Sequence, residues 1–152
     1  VTTPEKSIAV SIVEDDLSLR SIYADWIEKA DGFTLVSQYA DGQEALDSIP
    51  EGKPDVALMD INLPSLNGVE CVRGLKIQMP KTQFVMITVY EDSDRIFKAL
   101  EAGASGYLLK QTPREELLAS LKEVHAGGSP MSSGIASGAK KNHDCPVNEA
   151  SD

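Results

Sequence analysis

The chain has 152 residues, 41% hydrophobic and 25% charged, the balance of one ordinary globular domain with some length to spare. Its 14 Lys and Arg against 24 Asp and Glu leave a formal net charge of −10, which repels phosphate backbones and anionic membranes and argues against nucleic-acid binding by this chain. No apolar run approaches the roughly 20 residues of a membrane span, and the first residues lack a signal peptide's apolar stretch, so a cytoplasmic protein is expected.

Strands and helices alternate along the chain. Ile8–Val13 is a short β-rich run. Leu19, Ile22, Tyr23, Trp26, Ile27 and Ala30 then repeat at helical spacing, with Asp16 as the expected cap and Trp26 as expected core. Asp31-Gly32 stops that helix, and 33–38 reads as a second strand. Asp41-Gly-Gln-Glu44, Asn67-Gly-Val-Glu70 and Thr112-Pro-Arg-Glu115 have capping-box spacing, and the third places Pro113 at a first helical position. Runs at 56–59, 84–88 and 106–109 read as strands. A helix over about 93–102 is expected to turn Ile96, Phe97 and Leu100 inward, and the last helix to bury Leu117, Leu118, Leu121 and Val124.

Five β-α units without hairpin signals require parallel strands joined by helical crossovers. The expected fold is α/β, a doubly wound, flavodoxin-like (βα)5 sandwich with the common strand order 2-1-3-4-5. The expected organisation is a tail at 1–6, one domain at 7–126, and a Gly/Ser-rich linker or flexible tail at 127–152. Cys71 falls in a helical pattern and Cys145 in the tail, without metal-ligand spacing, and His125 and His143 have no ligand partners in sequence.

In such a sheet, ligands collect beyond the carboxyl ends of the strands. Those ends carry Glu14-Asp15-Asp16, Asp60, Thr88 and Lys110. Carboxylates brought within a few ångströms repel one another, and a hard divalent cation relieves them; Mg²⁺ bound through carboxylates and phosphate oxygens suits phosphoryl chemistry. An aspartate can be the nucleophile, a lysine can pair with it before transfer and with a phosphoryl oxygen afterwards, and a threonine hydroxyl can donate to the same group. Taken singly, Asp60 reads as a turn former, Thr88 as a β-branched strand residue, Lys110 as a surface lysine and Tyr107 as core. Their coincidence at one rim reverses the first three readings.

The set Ile12-Val-Glu-Asp15, Leu58-Met-Asp-Ile-Asn-Leu-Pro64 with Gly68, Met86-Ile-Thr88 and Ala102-Gly-Ala-Ser-Gly-Tyr-Leu-Leu-Lys110 resembles the receiver domain of two-component response regulators. The resemblance implies Asp60 as phospho-acceptor and a metal site of Glu14, Asp15, Asp60 and Asn62 for Mg²⁺ (or Mn²⁺), with Asp15 a direct ligand, Glu14 acting mainly through water and Asn62 contributing its backbone carbonyl. It further implies Thr88 and Lys110 as phosphoryl contacts, Thr88 and Tyr107 as switch residues, and Asn62 and Tyr90 as positions that tune dephosphorylation. The implied partners are a sensor histidine kinase as donor and a second copy of the chain on activation. The function so implied is a signalling switch rather than an enzyme, in which the face of the fourth helix, fifth strand and fifth helix changes to control a partner or output domain, in transcriptional regulation. Where many receivers have Pro directly after the lysine, this chain has Gln111, which resembles the LuxR/NarL-type subfamily and implies no cis proline there.

Two enzyme-like or ligand-binding readings compete, together with a receiver that acts by binding without phosphorylation. An aspartyl-nucleophile phosphatase places a second Asp two residues after the first, where this chain has Asn62. A flavin- or nucleotide-binding sandwich needs a phosphate loop after the first strand, where this chain has Glu14-Asp-Asp16.

Overall fold

The computed structural model describes residues 7–89 and 93–129. Ten elements alternate along it: β1 (Ile8–Val13), α1 (Leu17–Lys29), β2 (Phe33–Tyr39), α2 (Gly42–Gly52), β3 (Val56–Asp60), α3 (Gly68–Gln78), β4 (Gln83–Thr88), α4 (Ser93–Ala102), β5 (Gly106–Leu109) and α5 (Arg114–His125). The strands form one sheet of order β2-β1-β3-β4-β5, every neighbouring pair parallel, as the alternation of elements demands.

Alternation along the inner strands divides the core into two layers. On β3 and β4, Ala57, Met59, Phe84 and Met86 face Ile49 of α2, Val72 and Leu75 of α3 and Ile96 of α4. Val56, Leu58, Val85 and Ile87 face Tyr23 and Ile27 of α1 and Leu117, Leu121 and Val124 of α5. Strands covered on both faces need continuous apolar runs, which is why 56–59 and 84–87 are wholly hydrophobic. The edge strand β2 is mostly half-buried. Its register with β1 slips by one residue between Val10 and Ser11, bringing the Ser11 and Ser37 hydroxyls to 2.8 Å.

Two of the three capping boxes form at their N-caps. Asp41 Oδ1 accepts from the backbone N–H of Gln43 and Glu44, and Asn67 Oδ1 accepts from that of Glu70. Asp16 caps α1 by accepting from Leu19 N–H at 3.1 Å. The third box does not form. Pro113 is the N-cap of α5 rather than its first helical residue, because its ψ of 160° is extended and its carbonyl accepts the first helical bond, from Leu117 N–H. Thr112 is thereby left before the helix, buried, with its N–H on the Leu109 carbonyl.

Phe97 is also corrected. Ile96, Ala99 and Ala102 form the buried stripe of α4, and Phe97, roughly 100° further round the helix, is 46% exposed. Leu100 is only half-buried at the margin of that core. On α1, Tyr23 and Ile27 are buried while Ile22 is 45% exposed. Trp26 packs at the edge of the core, its ring 5.6 Å from that of Tyr23. Leu118 is likewise partly buried, and Cys71 is fully buried. No cis peptide bond occurs among the described residues, including the link from Lys110 to Gln111. Cys145 and His143 lie outside the described residues, as do 1–6 and 130–152.

Candidate functional site

Parallel pairing brings the ends of β1, β3, β4 and β5 to one rim, and the residues that close those strands meet there. Asp60 is the last residue of β3, Thr88 the last of β4, Glu14 follows β1 and Lys110 follows β5. The Lys110 N–H donates to the Thr88 carbonyl at 2.8 Å, extending the β4–β5 ladder past its last paired residues, Thr88 and Leu109.

At the centre is one ammonium between two buried carboxylates. Lys110 Nζ lies 3.1 Å from Asp60 Oδ2, with hydrogen-bond geometry, and 3.1 Å from Glu14 Oε1, while both acids are all but closed to solvent. The second oxygen of Asp60 accepts from Asn62 N–H at 3.3 Å, and that of Glu14 accepts from Asp16 N–H at 3.0 Å. Asp15 projects from the same turn but is exposed.

Burial sets the electrostatics. It pushes the Glu14 carboxyl up to about 7, against the pull of the Asp16 N–H and with further push from the Asp60 charge, the Lys110 ammonium opposing. Asp60 is raised in the same direction by burial, which outweighs the lowering by Lys110. Lys110 itself loses by burial but is raised overall by the charges and hydrogen bonds of Asp60 and Glu14. When both are ionised, the two carboxylates carry more negative charge than one lysine balances.

That imbalance, and the donor chemistry, fit a hard divalent cation. Glu14, Asp15 and Asp60 each offer a carboxylate oxygen, and the three oxygens lie within 4.8 Å of one another. Such an all-oxygen set suits Mg²⁺ or Mn²⁺ rather than a soft metal. The backbone carbonyl of Asn62 belongs to the loop that leaves Asp60.

Other expected residues take these places. Thr88 is buried at the strand end. Tyr107, opposite Met86 on β5, is fully buried in the core shared with α4. Asn62 is exposed on the β3–α3 loop. Tyr90 lies outside the described residues.

Sequence reasoning missed the supports around this centre. Arg20, one turn into α1, donates from its guanidinium to the Glu14 carbonyl at 2.8 Å. Tyr23 reaches the Lys110 carbonyl with its hydroxyl at 3.4 Å, so a residue assigned to the apolar stripe also ties α1 to the segment after β5. Gly68 stood out only within a capping box and the motif around Asp60, yet a β-carbon there would lie 2.1 Å from the Asp60 carbonyl oxygen. The spacing of Arg20 and Tyr23 on one face of α1 was the available signal for the first two. Nothing local marks the third.

Comparison with known proteins shows the family to which this fold belongs. Residues 10–122 match the model of the response regulator receiver domain. The transcriptional regulatory protein LnrK of Bacillus subtilis (strain 168) is 35% identical over 121 residues, covering 80% of this chain and 55% of its own length. A LuxR-family two-component response regulator from Aurantimonas sp. SI85-9A1 superposes with a TM-score of 0.86 at 30% identity, covering 91% of this chain and 99% of that one. The signal receiver domain of NarL from Mycobacterium tuberculosis gives 0.77 at 25% identity, covering 80% and 98% of the two chains.

The chain belongs to the response regulator receiver domain family, and its resemblance is to the LuxR/NarL type. It spans a little over half the length of the curated relatives it matches. No helix among the described residues is long and apolar enough to cross a membrane.

Proposed function

We propose that this chain is a phospho-accepting switch in which the Asp60 carboxylate takes a phosphoryl group from a phosphohistidine on a sensor kinase. The observation that carries the reading is the single Lys110 ammonium 3.1 Å from both Glu14 and Asp60, with Asp15 close enough to complete a cation site. In the transfer, an Asp60 oxygen bonds to phosphorus as the bond from phosphorus to the donor nitrogen breaks, its electron pair leaving with the imidazole. Mg²⁺, when bound, neutralises the crowded carboxylates and the incoming phosphoryl oxygens.

The chain's own groups do the rest. Asp60 sits at a fixed position because its strand is covered on both faces, so it is oriented before the donor arrives. Lys110 holds that carboxylate in the resting state and is free to bond a phosphoryl oxygen once the charge on Asp60 has moved outward. Thr88 donates its hydroxyl to the same group and draws β4 towards the rim. Tyr107, with Thr88 displaced, can reorient, shifting the face made by α4, β5 and α5 between two populations.

On this reading, Glu14, Asp15, Asp60 and Asn62 hold the metal, and Asn62 and Tyr90 tune how fast water removes the phosphoryl group. The activated face pairs with a second copy, and 7–126 acts as the regulatory unit of a cytoplasmic transcription regulator whose DNA-binding part lies elsewhere. Intact mass after incubation with a small acyl phosphate tests the core of it. One phosphoryl group should be gained with Mg²⁺, none with chelator, and none in Asp60→Asn. No gain by the unaltered chain under any condition overturns the switch in favour of a receiver that works by binding alone.

A further inference from the structure

The β3–α3 loop leaves the rim at Asp60, carries Asn62, and is held from outside by the start of α2. As N-cap of α2, Asp41 uses one oxygen, Oδ1, for the N–H groups of Gln43 at 2.8 Å and Glu44 at 3.0 Å. Its second oxygen, Oδ2, accepts from the Ser65 hydroxyl at 2.7 Å. Beside it, Gly42 N–H donates to the Pro64 carbonyl at 3.2 Å, and the Cys71 thiol donates to the Gly42 carbonyl at 3.4 Å. A β-carbon at Gly42 would lie 1.9 Å from the Leu66 carbonyl oxygen, so helix and loop are in direct contact.

Capping alone does not require this arrangement. One oxygen satisfies the helix N–H groups, and serine has no intrinsic preference for the left-handed backbone it adopts here, with φ 68°. That conformation aims the hydroxyl at Asp41. The loop's other foot is fixed by Gly68 N–H on the Ile61 carbonyl at 2.7 Å. Residues 61–68 thus form an arch pinned at its base by Ile61–Gly68 and at its crown by Ser65–Asp41, with Asn62 on the rising limb.

We propose that Asp41 is a positioning residue for the metal site, acting through Ser65 to fix the arch and with it the backbone carbonyl of Asn62. The inference rests on the phospho-switch reading for the site's use, and on the carboxylate cluster for the metal. Mg²⁺ and Mn²⁺ demand near-octahedral oxygen geometry, so a ligand carried on a loosened arch costs affinity even with every carboxylate in place.

Mn²⁺ binding to the full chain, followed by loss of the free ion's electron paramagnetic resonance signal, tests this without any phosphoryl transfer. Ser65→Ala removes the crown and leaves the cap; Asp41→Ala removes both. Both should weaken Mn²⁺ by about tenfold, the low end of outer-shell effects. Only Asp41→Ala should also lower the melting temperature in chelator. Ser65→Asn, which keeps a donor and tolerates left-handed backbone, and Asp41→Asn, which can cap and still bond the hydroxyl, should both bind Mn²⁺ like the unaltered chain.

Unchanged affinity in Ser65→Ala, or a loss confined to Asp41→Ala that tracks its lost stability, overturns the latch. So does absence of Mn²⁺ binding by the unaltered chain. Normal Mn²⁺ binding with no phosphoryl uptake at Asp60 instead sinks the proposed function and leaves the latch standing.

Discussion

Gly68 abuts the backbone of Asp60 so closely that a β-carbon at residue 68 would lie 2.1 Å from the Asp60 carbonyl oxygen. Helix α3 therefore starts against the peptide of the proposed phospho-acceptor, and the contact is backbone on backbone, with no flexible side chain to yield.

Gly68→Ala should accordingly act on the site as well as on the fold. Overpacking of this kind costs about 1–3 kcal/mol, and relief requires Asp60 or the first turn of α3 to shift. Urea denaturation should show that loss, and phosphoryl uptake from a small acyl phosphate should fall by about tenfold or more at temperatures where the variant remains folded.

Removing the central cation should leave two buried acids uncompensated. Breaking a buried ion pair costs about 3–5 kcal/mol, and the partly exposed Lys110 should fall at or below the low end. The cost of Lys110→Ala in chelator should be larger at pH 8 than at pH 5, since near pH 5 Glu14 takes up a proton instead. Equal loss at both pH values in denaturant titrations would contradict this.

Glu14 gives a separate pH signature. Its carboxyl in the fold is raised by burial to about 7 from the ordinary 4.5, so the unfolded chain releases the proton first. Below the unfolded value the group costs nothing; as pH rises through the folded value, folding must carry an ionised buried acid and stability is lost. In chelator, stability should fall between roughly pH 4.5 and 7 by on the order of 1–3 kcal/mol. Glu14→Gln should flatten that slope, measured as melting temperature against pH, and Mg²⁺ should oppose it in the unaltered chain.

Neighbours on α4 should differ sharply. Ile96→Ala empties a site in the core and should cost about 2–5 kcal/mol, whereas Phe97→Ala, at 46% exposure, should cost under about 1 kcal/mol. Comparable losses in chemical denaturation would show that Phe97 packs inward after all.

Much of this molecule is written in short-range patterns. The alternation of apolar runs with helical stripes gives a parallel doubly wound sheet by sterics alone, and the observed order β2-β1-β3-β4-β5 is the common solution. The rim acids were legible because each stands directly after an apolar strand, so the topology that aligns the strands also gathers Glu14, Asp60, Thr88 and Lys110. What was not legible depends on angle or on distance through space. Phe97 belongs to an apolar spacing but sits at the wrong azimuth, because the small Ala99 and Ala102 let α4 approach the sheet along a neighbouring stripe. The third capping box has the right letters, but a proline with extended ψ takes the cap position itself. Ser65 bonds Asp41 across 24 residues, and Tyr23 bonds Lys110 across 87, spacings on which no local pattern reports.

The strand ends opposite the rim differ from it in kind. Asp55 accepts from Ala9 N–H with its side chain at 2.9 Å, donates its own N–H to the Ala9 carbonyl at 2.8 Å, and receives Gln83 N–H on its carbonyl at 2.9 Å. Thr82 closes the same edge by donating its hydroxyl to the Pro54 carbonyl at 2.8 Å. One acidic residue there staples three strand starts together. Amide hydrogens at this end should exchange slowly and together, and the sheet should breathe from the other side. Such a floor fixes one end of the strands, so a displacement imposed at the rim should fall on the loops and helices there and leave the strand starts in place.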